Sequence, residues 1–190
     1  MTIDDELIRV LTQPDSEGNV PLIKMLNIKD IKSYKYHIEQ TERFFNMSYN
    51  ELIVMTPDIV VTHGEDEHNR IISLIEVENH IKWDFSQSIQ QIKKYIEFFP
   101  NRGWKKQVIV LIPLEYDRYE DLYKNEGVDV WLWDTNIKYE CLDCGEFTSS
   151  KKISNIKCKC HSNNLIISGI DQLTLINNAQ EREINVLNER

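Results

Sequence analysis

The chain has 190 residues, enough for one domain with a proper core and a small appendage. Its apolar share of 41% and charged share of 28% are those of an ordinary globular protein, and no run reaches the ~18 to 20 apolar residues of a membrane span. The net charge of −9 argues against a general nucleic-acid coat, since such proteins are usually basic. It leaves room for an enzyme whose cation-holding carboxylates make its own site negative. The segment MTIDDELIRV has neither the basic flank nor the apolar run of a signal peptide, so a cytoplasmic, intracellular protein without a membrane partner is expected.

In chain order, residues 3–12 form a short helical pattern, and Pro14, Asp15, Ser16 and Gly18 mark a loop before the apolar segment Pro21 to Leu26. Residues 31–45 carry Tyr34, Ile38, Thr41 and Phe45 at helical spacing and predict a helix. The period then changes. Leu52 to Met55 and Asp58 to Thr62 predict strands separated by Thr56-Pro57, and the polar string 63–69 is a hairpin connection to a third strand, Ile71 to Glu78. Phe85, Ile89, Ile92, Ile96 and Phe99 then make one helical stripe, followed by Pro100. Val108 to Leu114 is apolar throughout, as expected of a strand covered on both faces. A short helix at 119–125 ends at Gly127, and Val128 to Trp133 is a further strand. Strand, helix, strand implies a crossover and partly parallel pairing. In the tail from Asp171, Leu173, Ile176, Ile184 and Leu187 stand at roughly helical spacing. The predicted organisation is a core over 1–137, a cysteine module over 138–170 and a C-terminal helix or tail over 171–190.

Three acids fall where this reading gathers them. Asp58 opens a strand directly after Pro57, while Glu76 and Glu78 close the next one. Alternation puts Ile72, Leu74, Glu76 and Glu78 on one face. Paired carboxylates at the end of an apolar strand need a cation or a specific partner. Oxygen ligands on adjacent strands suit Mg²⁺ or Mn²⁺, and such a cation suits phosphodiester hydrolysis.

Pro57-Asp58 followed by Glu76-Val77-Glu78 resembles the signature of the PD-(D/E)XK nuclease superfamily. Gln91 and Tyr95, one helical turn apart, are similar to the QxxxY motif of its RecB-like branch. The resemblance covers about the central third of the chain. It implies an α/β fold with a restriction-endonuclease-like mixed sheet flanked by helices, and a Mg²⁺- or Mn²⁺-dependent deoxyribonuclease. Asp58 and Glu76 would hold the metal, and Gln91 and Tyr95 would help position substrate. The family's lysine is replaced by Glu78, which would serve as general base or extra ligand; Lys94 and then Lys82 are the candidates to supply a lysine from elsewhere. A glutamate on the first helix, Glu42 ahead of Glu39, would point at the metal. A degenerate module that binds DNA without cutting is the competing expectation.

All four cysteines lie between 141 and 160, a clustering more often metal-binding than disulfide-forming in a reduced compartment. Cys141-x2-Cys144-Gly145 resembles a zinc knuckle, and Cys158-x-Cys160-His161 is a second, irregular half. A structural Zn²⁺ in a zinc-ribbon-like module is expected, with Cys160 or His161 as fourth ligand. An iron–sulfur cluster fits by ligand type, but nucleases that carry one usually place a cysteine ahead of the catalytic core, and none lies there. Lys151, Lys152, Lys157 and Lys159 make this the most basic short region, either a solvated hairpin or a clamp on DNA phosphates. A second basic set, Lys93, Lys94, Arg102, Lys105 and Lys106, surrounds the end of the Gln91–Tyr95 helix. DNA is the expected partner, and a homodimer stays open.

Overall fold

The computed structural model describes residues 2–28, 34–38, 42–46, 51–64, 70–79, 81–98, 104–152, 155–177 and 180–185. The chain divides into two compact units, one of residues 27–131 and one joining residues 1–26 to 132–190. Among the described residues no helix is long and apolar enough to cross a membrane.

In the 27–131 unit the strands are β1 (Tyr34–Ile38), β2 (Glu42–Asn46), β3 (Glu51–Met55), β4 (Ile59–His63), β5 (Ile71–Val77) and β6 (Lys105–Pro113). Its helices are α3 (Ile81–Glu97) and α4 (Glu120–Asn125); α1 (Ile3–Thr12) and α2 (Pro21–Met25) belong to the other unit. β1 pairs antiparallel with β4 and β4 with β5, whereas β5 runs parallel to β6. The protein is therefore mixed α/β. The parallel pair requires the chain to return along the sheet, and α3 is that return. β5 and the second half of β6 are buried almost without interruption, as a strand covered on both faces must be.

Residues 31–45 do not form the expected helix. Tyr34–Ile38 pairs with β4, and Glu42–Asn46 pairs with β3 in a separate two-stranded sheet. The i, i+4, i+7, i+11 apolar spacing was real, but neighbouring strands offered ladder hydrogen bonds to a segment rich in aromatic side chains, which suit strands. Glu42 consequently lies on a strand, with its side chain outside the described residues; Glu39 also lies outside them.

The second unit combines α1 and α2 with β7 (Asp129–Cys141, from Leu132 onward), β8 (Phe147–Ser150), β9 (Leu165–Asn177) and β10 (Gln180–Asn185). β7 pairs with both β8 and β9, and β9 with β10, all antiparallel. The C-terminal segment is thus strand rather than helix: Leu173 and Leu175 are buried at period two, and the apparent helical spacing was incidental. α1 is closed by a capping box in which Thr2 and Asp5 exchange side-chain to backbone bonds. On its buried face Glu6 receives Nε and NH2 of Arg9 at 2.8 and 2.6 Å, so the buried carboxylate is paired.

One lysine of the expected basic set has a structural task. Lys106 on β6 donates to the carbonyls of Ile96 and Phe98, two of the acceptors left over where α3 ends. Replacing it with methionine keeps the aliphatic stem but removes its donor from both carbonyls. Lys106→Met is expected to cost about 1.5 kcal/mol or more in urea unfolding, the usual value of bonds to a charged donor.

Candidate functional site

β4 and β5 bring the first two acids together through their register. Ile59 lies opposite Ile75, so the preceding Asp58 comes against the following Glu76. Asp58 Oδ2 accepts the Val77 N–H at 2.7 Å, fixing the turn to the end of β5. The carboxylate that opens one strand is thereby tied to the backbone of the strand that carries the other.

α3 supplies the remaining contacts because it runs back along β5. Ser88, Gln91 and Tyr95, spaced i, i+3 and i+7, share one helical stripe. The earlier residue meets Glu78 just past the end of β5, and the later ones meet Glu76, two residues before it. Gln91 Nε2 donates to Glu76 Oε1 at 2.5 Å, and the Tyr95 hydroxyl donates to Glu76 Oε2 at 2.7 Å. Gln91 also donates to the Tyr95 oxygen at 2.8 Å. Both oxygens of Glu76 are therefore held. Ser88 Oγ donates to Glu78 Oε1, confirming that Glu76 and Glu78 face the same helix.

Glu76 is only 7% exposed and Tyr95 is fully buried. Burial, and next the charge on Asp58, push the Glu76 carboxyl well above its ordinary value, and the charge on Glu78 adds to this; the Tyr95 hydroxyl and the Asp58 N–H work in the opposite direction. Burial and the charge on Glu76 raise Tyr95 in turn, so it remains a hydrogen-bond donor. Both neighbouring carboxylates thus act electrostatically on Glu76.

The sequence-predicted residues separate here. Gln91 and Tyr95 bond to Glu76, and Asp58 and Glu78 lie close enough to raise it. Lys94, exposed on α3, makes no bond to these acids, and the Lys82 side chain lies outside the described residues. Ser88 was not anticipated, although it stands three residues before Gln91 on the same stripe. Tyr123, on α4, had no sequence signal; its hydroxyl is 2.6 Å from Ser88 Oγ. Of the expected basic residues, Lys93 pairs with Glu126 at 3.5 Å and Lys151 with Asp134 at 2.6 Å, while Lys152, Lys157 and Lys159 are exposed.

The second constellation is in the other unit. The sulfurs of Cys141, Cys144, Cys158 and Cys160 all lie within 4.8 Å of one another, and the thiols are free. Cys141 and Cys160 sulfurs are 3.7 Å apart, and those of Cys144 and Cys158 3.5 Å. A tetrahedron with Zn–S near 2.3 Å has edges of about 3.8 Å, so the donor set fits zinc. His161 is not part of the group. It occupies a left-handed turn position (φ 68°) directly after Cys160, the place that Gly145 (φ 73°) takes after Cys144. The second knuckle is thus one residue shorter than the first and ends in histidine. Ser162 and Asn164 both donate to Asp143, linking the two halves. Among the described residues this is the one gathering of three or more potential ligand atoms within such a distance.

Comparison with family models, curated proteins and solved structures finds no match.

The raised Glu76 pKa has a sign that stability measurements can read. Between its unfolded value near 4.5 and its higher folded value, the native state binds more protons than the unfolded chain. Without divalent cations, stability from this group is complete below that window and falls as pH rises through it. Urea midpoints compared across pH should show that fall in wild type and a reduced fall in Glu76→Gln. An identical pH profile in the two proteins would contradict the assignment.

Proposed function

We propose that the chain is a metal-dependent nuclease of the PD-(D/E)XK kind, hydrolysing phosphodiester bonds in DNA, with a restriction-endonuclease-like core and a zinc-ribbon-like module. The observation that carries this reading is Glu76: a buried carboxylate crowded by Asp58 and Glu78 and gripped through both oxygens by Gln91 and Tyr95. Such crowding of acids is costly without a cation. The all-oxygen donor set suits Mg²⁺ or Mn²⁺, which Asp58 and Glu76 would hold.

A divalent cation there lowers the pKa of water and offsets charge on the phosphate. The protein's own share is orientation. Val77 N–H holds Asp58, Gln91 and Tyr95 hold Glu76, and Glu78 stands ready to ligate or to accept a proton from the attacking water. The QxxxY pair therefore acts through Glu76, steering a ligand. Cleavage of linear, circular and single-stranded DNA with Mg²⁺ or Mn²⁺ tests the reading. Wild type should cut, and Asp58→Ala and Glu76→Ala should abolish cutting without unfolding the chain. Full activity in Asp58→Ala would remove the assignment.

One observation favours a second reading, a module that binds DNA without cutting it. Glu78 stands at the lysine position and is bonded to Ser88, while exposed Lys94 bonds to none of the three acids. That protein would leave all substrates intact, and charge removal at Lys152, Lys157 and Lys159 would weaken DNA retention more than Asp58→Ala.

For the cysteine module, metal analysis of the purified chain is expected to return one zinc per molecule. Cys158→Ser should lose it and lower the thermal midpoint, because the metal supplies binding energy that this small module has no large core to replace. A zinc-free protein of unchanged stability would rule the site out.

A further inference from the structure

Ser88 and Tyr123 lie behind Glu78 and belong to neither motif of the nuclease reading. Ser88, 6% exposed on α3, donates to Glu78 Oε1 and has the Tyr123 hydroxyl 2.6 Å away. Tyr123, fully buried on α4, is braced by a T-shaped contact with Phe85, with ring centroids 5.4 Å apart at 77°. A serine hydroxyl has a single proton, and an ionised carboxylate only accepts. With that proton given to Glu78, the second bond must run from the phenol to Ser88. The direction is therefore set: Tyr123 to Ser88 to Glu78. Burial, with the charge on Glu78, raises the Tyr123 pKa, in keeping with a phenol that retains its proton.

We propose that Ser88 and Tyr123 are positioning residues that hold Glu78 as a ligand of the divalent cation in the site proposed above. The inference rests on the nuclease reading and deepens it. A glutamate side chain has three rotatable bonds, and a free one seldom points where a cation needs it. The relay fixes one oxygen with a charge-assisted bond backed by a second hydroxyl. Glu78 at the lysine position and hydroxyls on the two neighbouring helices thus form one arrangement.

The test is a double-mutant cycle on the zinc-loaded full chain, read by electron paramagnetic resonance titration with Mn²⁺ and by DNA cleavage. Ser88→Ala is expected to raise half-saturating Mn²⁺ about tenfold, the usual cost of losing a bond to a charged group. Tyr123→Phe should shift it in the same direction by less, with thermal midpoints near wild type. In a Glu78→Gln background, Ser88→Ala should add almost nothing, because its partner's charge is already gone. Equal weakening in both backgrounds would assign Ser88 a general packing role and overturn the proposal. So would wild-type Mn²⁺ binding in Ser88→Ala. Absence of Mn²⁺ binding and cleavage in the wild type itself would overturn the nuclease reading, and this inference with it.

Discussion

The carboxylate of Glu76, out of water at the end of β5, imposes the constraint around which the 27–131 unit is arranged. A carboxylate so placed has to find donors for both oxygens or remain protonated. Strand geometry points it at whatever covers the sheet. The parallel pairing of β5 with β6 ensures that a helix does so, since the chain must travel back before β6 can begin. α3 meets the requirement with Gln91 and Tyr95, four residues and one turn apart, which place two donors on one carboxyl group.

The same geometry explains why the acids come as a group. The β4–β5 register sets Asp58 against Glu76, and the period-two alternation of β5 returns Glu78 to the same face. Each acid has an assigned donor: the Val77 N–H for Asp58, the Gln91–Tyr95 pair for Glu76, Ser88 for Glu78. These bonds orient each acid, and burial with the neighbouring carboxylates raises Glu76. Two lysines of the basic set have partners of their own, Lys106 at the end of α3 and Lys93 at Glu126.

The 1–26 and 132–190 unit solves a different problem. Its long strands β7 and β9 pair over most of their length, but near the turns at their far ends Leu142 and Phe147 are exposed rather than packed in a core. There the chain gathers four thiols. Backbone turns after Cys144 and after Cys160 aim sulfurs inward, and Asp143 joins the halves through Ser162 and Asn164. A metal ion in that cage would provide the cohesion a core provides elsewhere.

Local patterns carried much of this in the sequence itself. The buried strands β5 and β6, the stripe of α3, the pairing of Glu76 with Glu78 on one face and the four-cysteine grouping are all periodicities or spacings within a few residues. They depend only on the repeat of a strand, a helix or a knuckle. Residues 31–45 were misread because the helical spacing was outweighed by a strand partner farther along the chain, β4 for Tyr34–Ile38. The tail was misread although β10 pairs with β9 as a local hairpin; β9 itself is held by the distant β7, a pairing invisible to any local window. The choice of Cys160 over His161 likewise needed the turn geometry, and Tyr123 entered the site only because α4 packs where Ser88 can reach it. The sequence by itself determined which chemical groups were present and their local periodicity. Only tertiary structure decided which of them meet, because hydrogen bonds across 10 or 35 residues are set by packing rather than by spacing.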